Sequence, residues 1–222
     1  MNERNDTEGF ILIVWVWNAV IQFLSRISVF DIVRRSISFA SWEDKRKYLF
    51  VDIWVLAHTL LSVLSIIIMR YSSIGVIKQI LFYYGILRVF EIFIYQLKIN
   101  LLDNYEENAT LRSYRRSILL LIHNFMEIIF WFTASYEFLM NWFDVADRST
   151  SLIQAFYMSF VTMTTFGPPN FNIDNNPAMV IIMIQSVLGL FMTVVSIARF
   201  ISMLPTPKSQ VLIENRNDTP LS

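Results

Sequence analysis

The sequence predicts an all-α integral membrane protein with four or five spanning helices and one short re-entrant helix. Three observations carry that expectation. Of 222 residues, 55 % are hydrophobic and 15 % aromatic, and only 16 % are charged, below the ~25 % usual in soluble domains. Apolar runs long enough to cross a bilayer recur along the chain. One shorter apolar run, 151–163, sits between two of them and opens onto a hydroxyl-rich turn ending in Gly167. Polar, irregular backbone is tolerated at membrane depth only where protein buries it or where it lines a water-filled path.

The remaining composition excludes several function classes. Formal net charge is zero, so neither nucleic acid nor another strongly charged partner is implied. There are no cysteines, hence no disulfide, thiolate metal site or Cys nucleophile. A Gly-rich phosphate loop and a Ser–His–Asp cluster outside the membrane are both absent from the sequence. The reading is therefore of a protein that is not an enzyme and carries no organic cofactor.

The first segment runs from about Phe10 to Val33. Its uncharged part, 10–25, is ~24 Å long at 1.5 Å per residue, short for a ~30 Å hydrocarbon core, and Arg26 and Asp31 follow. It either spans or lies in the interface as an amphipathic helix, with charge counting on the side of spanning. Acidic residues before it and the lack of a cleavage site argue for a retained segment rather than a signal peptide.

The second segment, Tyr48 to about Met69, holds one charge, Asp52. The third, about Ser73 to Asn100, holds Lys78, Arg88, Glu91 and Lys98. Tyr84, Arg88, Glu91, Tyr95 and Lys98 recur there at 4-3-4-3 spacing, one polar stripe on an apolar helix. Arg88 and Glu91 are placed to pair at i, i+3, and Asp52 lies at a depth that reaches Lys98. The fourth, Ser117 to Met140, holds His123 and Glu127 at i, i+4, for which hydrogen bonding between helices is expected, and Glu137. The fifth, Pro177 to Leu204, starts on a proline suited to a first helical turn and stops before Pro205.

Loop charge sets the orientation. Arg34, Arg35, Lys45, Arg46 and Lys47 precede the second segment, and Arg112, Arg115 and Arg116 precede the fourth. The positive-inside rule places 34–47, 103–116 and the C-terminus in the cytoplasm of a cell membrane, and 141–176 outside. The chain divides into N-terminal spans 1–102, a linker 103–116, a pore module 117–204 and a tail 205–222. Trp42, Tyr48, Tyr71 and Trp142 fall near helix ends and read as interfacial anchors against membrane lipids.

Within 141–204, an acidic turn (Asp144, Asp147) leads to the short helix, N-cap oxygens being available from Ser149, Thr150 and Ser151. Entering from outside, that helix points its C-terminal carbonyls inward, where they favour a cation. The run Ala155-Phe-Tyr-Met-Ser-Phe-Val-Thr-Met-Thr-Thr-Phe-Gly resembles the pore helix and filter start of the potassium-channel superfamily. The resemblance continues in Gln185-Ser-Val-Leu-Gly-Leu-Phe and Ile197-Ala-Arg-Phe. Gly189 sits where that family carries its gating glycine. It implies a potassium-channel-like pore module over roughly 117–204, built as a homotetramer, since one chain supplies one pore loop.

The resemblance implies a monovalent cation, K⁺ above all, held at Thr164, Thr165, Phe166 and Gly167, with Thr165 adding side-chain oxygen and the others carbonyls. The filter then departs from its relatives. Where the family reads Thr-Val-Gly-Tyr-Gly-Asp, this chain reads Thr165-Phe-Gly-Pro-Pro-Asn. Pro169 is locked near φ −65° where a glycine takes positive φ, and Pro168 is restricted by preceding it. The inner ion sites survive in this reading, and the outer ones do not. The expected function is a potassium-permeable cation channel subunit of altered selectivity. The alternative keeps the fold as a non-conducting signalling or assembly protein.

Gln185, Gly189, Thr193 and Ser196 share one helix face by 4-4-3 spacing. They are candidates for the lower pore lining, with small-residue helix contacts as the other reading of Gly189 and Ser196. The third segment resembles by position the charged helix of voltage-gated relatives. Its basic residues are ten apart rather than three, and Glu91 offsets one, so structural ion pairing is expected instead of voltage sensing.

Overall fold

The computed structural model describes residues 15–16, 18–23, 33, 42–101, 114–139, 152–164 and 176–202. Five helices organise them: α1 (Asp44–Tyr71), α2 (Gly75–Leu101), α3 (Tyr114–Phe138), α4 (Leu152–Met163) and α5 (Asn176–Ser202). No strand occurs among the described residues. α1, α2, α3 and α5 are each long and apolar enough to cross a membrane, and α4 is a shorter apolar helix. This is the predicted all-α fold, with four spans among the described residues. Most of the first segment, 10–33, lies outside the described residues. So do the expected N-cap of α4, the acidic turn, and most of the linker 103–116 and tail.

Helix boundaries differ from expectation by a few residues, for local reasons. α1 starts at Asp44, inside the basic run, because Lys and Arg are good helix formers whose charge does not interrupt the backbone ladder. It ends at Tyr71, where the Ser72 N–H donates to the Ile68 carbonyl at 3.0 Å. The Ser72 hydroxyl then accepts the Ile74 N–H at 3.1 Å, so three residues, 72–74, turn the chain into α2. A link that short makes α1 and α2 antiparallel neighbours.

Side-chain pairs give the remaining directions. Asp52 meets Arg116 and Arg70 meets Glu137, so α1 and α3 run parallel. Arg88 meets Glu127, and Gly85 faces Trp131, so α2 and α3 run antiparallel. Ser117 meets Arg199 and Tyr136 meets Gln185, so α3 and α5 are antiparallel. The four spans alternate as consecutive crossings of a bilayer must. α3 is central: half of its apolar window is buried, against 22 % for α1. The core gathers Leu121, Ile128, Ile129, Trp131, Phe132 and Tyr136 of α3 with Ala155, Met158 and Met163 of α4 and Leu188 and Met192 of α5. Large apolar side chains on α1, α2 and α5, such as Leu60, Ile80 and Leu190, remain exposed, as surfaces solvated by lipid require.

Many hydroxyls inside the spans are satisfied within their own helix. The hydroxyls of Thr59, Ser62, Ser65, Thr133, Ser135, Ser186 and Ser196 donate to carbonyls three or four residues back. Such back-bonding hides a hydroxyl without leaving the helix. A run of rings, Phe50, Trp54, His58, Tyr84 and Trp131, crosses from α1 through α2 to α3. Gly85 belongs to that crossing: a Cβ there would lie 2.6 Å from Trp131 Cε3.

Candidate functional site: a short helix clamped between two spans

α4 is a twelve-residue helix with no charged residue and two fully buried side chains of consequence, Ser159 and Met163. Its apolar sequence lets it sit among spanning helices, and its length stops it short of crossing. Two contacts fix its direction. Gln185 Nε2 donates to the Ser159 carbonyl at 2.9 Å. Four residues further along both helices, Gly189 packs on the carbonyl of Met163. Contacts that advance together mean that α4 and α5 run parallel. The helix therefore travels with α5 and against α3, as a re-entrant helix does, and its C-terminal carbonyls end beside the middle of α5.

Hydrogen bonds hold it from both sides. The Ser159 hydroxyl donates to the Ile129 carbonyl of α3 at 2.8 Å and accepts from Gln185 Nε2 at 2.9 Å. The Tyr136 hydroxyl donates to Gln185 Oε1. Ser159 and Gln185 are fully buried and Tyr136 nearly so. Buried polar groups left unmatched cost roughly 1–3 kcal/mol each, so this closed circuit is specific. Phe130, Phe156 and Phe160 stack along the same seam.

α4 ends at Met163, and Thr164 closes it, its N–H donating to the Phe160 carbonyl at 3.0 Å. The Thr164 hydroxyl turns back on the same helix, to the carbonyls of Phe160 at 2.8 Å and Val161 at 3.3 Å. Thr165, Phe166, Gly167 and Pro168 lie outside the described residues, as does Pro169.

The four residues proposed for the lower pore lining divide. Gln185 and Gly189 are buried inside the protomer against α4, not on open surface. Thr193 and Ser196 are half-buried, with the Ser196 hydroxyl bonded to Met192. The open stripe of α5 is instead Met183, Val187, Leu190, Val194, Ile197 and Ile201. The difference is physical: a small residue and an amide suit close contact with another helix, and bulky aliphatics suit lipid or a neighbour. At Gly189 a Cβ would meet backbone, 2.9 Å from Met163 C and 3.0 Å from its Cα. Glycine is required there for approach.

The buried charges also resolve. Arg88 pairs with Glu91 at 2.6 Å, as expected at i, i+3, and with Glu127 of α3 at 2.7 Å. All three are over nine-tenths buried. Trp131 Nε1 donates to Glu127 at 3.3 Å. Asp52 does not reach Lys98; it takes Arg116 of α3 at 2.7 Å, with that guanidinium also over the Tyr48 ring. The parallel packing of α1 on α3 brings those ends level. His123 does not bridge helices either: its Nδ1 faces the Leu119 carbonyl one turn back at 2.8 Å, because Glu127 is turned to the stronger, charged partner Arg88.

Three features escaped the sequence. His58 Nε2 meets the Tyr84 hydroxyl at 2.7 Å, joining α1 to α2. Tyr136 pairs with Gln185, and Ser159 reaches Ile129. Each contact joins residues far apart in sequence, and a polar side chain in an apolar helix signals a partner but does not say which one. No curated protein and no solved structure matches the chain. Residues 118–205, from the first turns of α3 through α4 to just beyond α5, match the family described as "Ion channel".

Proposed function

We propose that the protein is a subunit of a passive cation channel, assembled as a homotetramer, whose ion path begins at the C-terminal end of α4. One observation carries the reading above the rest: a short uncharged helix runs parallel to α5, clamped to it by Gln185 and to α3 by Ser159, and ends beside the middle of α5. That arrangement aims partly negative helix carbonyls at the level of the middle of α5. The match of 118–205 to an ion-channel family supports it. A single chain supplies one such helix, so a ring of copies is needed to enclose a path.

The ion is potassium or another monovalent cation, taken by carbonyls of Thr164, Phe166 and Gly167 and by oxygens of Thr165. Pro168 and Pro169 remove the backbone freedom needed for further outer sites, so selectivity is reduced. Basic ends at Lys45 to Lys47 and at Arg115 and Arg116 orient the chain with its C-terminus in the cytoplasm. The test is flux through the full chain reconstituted in liposomes, with K⁺ and Na⁺ gradients imposed in turn. Conduction of both, with K⁺ favoured by less than about tenfold, is expected of a filter lacking its outer half. Absence of flux at any voltage would overturn the reading in favour of a non-conducting membrane signalling or assembly subunit. Strong exclusion of Na⁺ would overturn the selectivity part alone.

A further inference from the structure

We infer that Gln185 is a positioning residue for permeation: its carboxamide sets the level of α4 along α5, and so the depth at which the filter begins. This rests on the channel reading above and assigns to Gln185 a role other than pore lining.

The carboxamide uses all of its main bonding directions on protein. Both Nε2 contacts go to Ser159, at 2.9 Å to the carbonyl and 2.9 Å to the hydroxyl oxygen. Oε1 receives the Tyr136 hydroxyl. The Ser159 hydroxyl spends its own hydrogen on the Ile129 carbonyl at 2.8 Å, so towards Gln185 it can only accept. That fixes which end of the amide faces Ser159. A carboxylate at the same place would point two acceptors at two acceptors, and an aliphatic chain would supply neither bond.

Packing alone does not call for an amide at 185. The neighbouring positions on the same face of α5, Ile182, Leu188 and Met192, are apolar and buried. What the amide adds is register. Sliding α4 by one residue moves it ~1.5 Å along its axis. A slip of one register also turns the helix by ~100° at ~3.6 residues per turn, which carries the Ser159 oxygens off the Gln185 face and breaks both 2.9 Å bonds. Gly189 repeats the same register one turn on, where its bare Cα admits the Met163 carbonyl. Gln185 therefore holds α4 at a level that Gly189 makes sterically possible. Thr164 follows Met163 directly, so any slip at Ser159 is passed to the first ion-facing carbonyl.

The experiment compares wild type with Gln185→Leu, Gln185→Glu and Tyr136→Phe in the full chain. Permeability ratios for K⁺ over Na⁺ come from reversal potentials in planar bilayers at several pH values. In parallel, hydrogen exchange of amides 160–164 is measured against amides of α1. Gln185→Leu is expected to change the permeability ratio by about threefold or more. It should also speed exchange of 160–164 by about tenfold while leaving α1 unchanged. Gln185→Glu separates positioning from mere packing. Its protonated acid keeps one donor and one acceptor, so the ratio should approach wild type at low pH and the Leu value at high pH. Tyr136→Phe should shift both readouts in the same direction by less.

Wild-type ratios and exchange in Gln185→Leu, or a Gln185→Glu channel with the pH profile of wild type, would overturn the inference. If wild type passes no ion, the channel reading fails on its own. The exchange arm then decides the register role: faster exchange at 160–164 in Gln185→Leu supports it, and unchanged exchange overturns it.

Discussion

Gly189→Ala separates two roles for one residue by the sign of its effect on stability. As a flexible joint in α5, glycine is a cost to the helix, and alanine would stabilise the chain by roughly 0.5–1 kcal/mol. As a close-contact residue, glycine is required, and alanine destabilises. The new methyl would stand 2.9 Å and 3.0 Å from the carbonyl carbon and Cα of Met163. These are backbone atoms in a helix anchored by Ser159 and Gln185, so no rotamer change relieves the contact. Overpacking of this kind costs about 1–3 kcal/mol, and the upper half applies where backbone must move. Subtracting the helix gain leaves a net loss of roughly 2 kcal/mol. Reversible unfolding in mixed detergent micelles measures it. A variant as stable as wild type or more so would refute the close-contact account and restore the joint.

The ion pairs rank themselves by burial. Glu127→Gln removes charge from a fully buried partner of Arg88, and should cost roughly 3 kcal/mol in the same unfolding assay, because it leaves an under-compensated guanidinium inside the bundle. Asp52→Asn acts on a pair whose side chains are 40 % and 30 % exposed, and should cost under about 1 kcal/mol. The reverse order would refute the burial argument. Arg88→Gln should lower stability without flattening any voltage dependence of conductance, since one paired charge supplies at most about 2.3 kcal/mol per 100 mV; a steep dependence abolished by this change would make α2 a sensor.

Much of the fold was legible because a membrane imposes its own pattern. Apolar length marked α1, α2, α3 and α5, and the short run before Thr164 marked α4, with boundaries displaced by two to four residues where charged residues prolong a helix. Local pairs were legible too: Arg88 and Glu91 face one another because the helix repeat puts them there. Pairs between helices were not. Depth alone sets Asp52 level with Lys98, and the parallel packing of α1 on α3 gives it Arg116 instead. Gln185 read as pore lining because a polar residue on an apolar helix implies either water or a partner. Spacing along one helix cannot distinguish the two; the partners that Gln185 meets, Ser159 and Tyr136, are 26 and 49 positions away.

α3 joins the two halves into which the sequence divides. One face meets α1 through Arg116 and α2 through Glu127. Another meets α4 through the Ile129 carbonyl and α5 through Tyr136. Glu127, Ile129 and Trp131 are consecutive alternate residues, so the ion cluster and the clamp on α4 share one stretch of backbone. Glu127, Ile129, Ser159 and Gln185 are all fully buried, so the two clusters meet inside the bundle rather than at its surface.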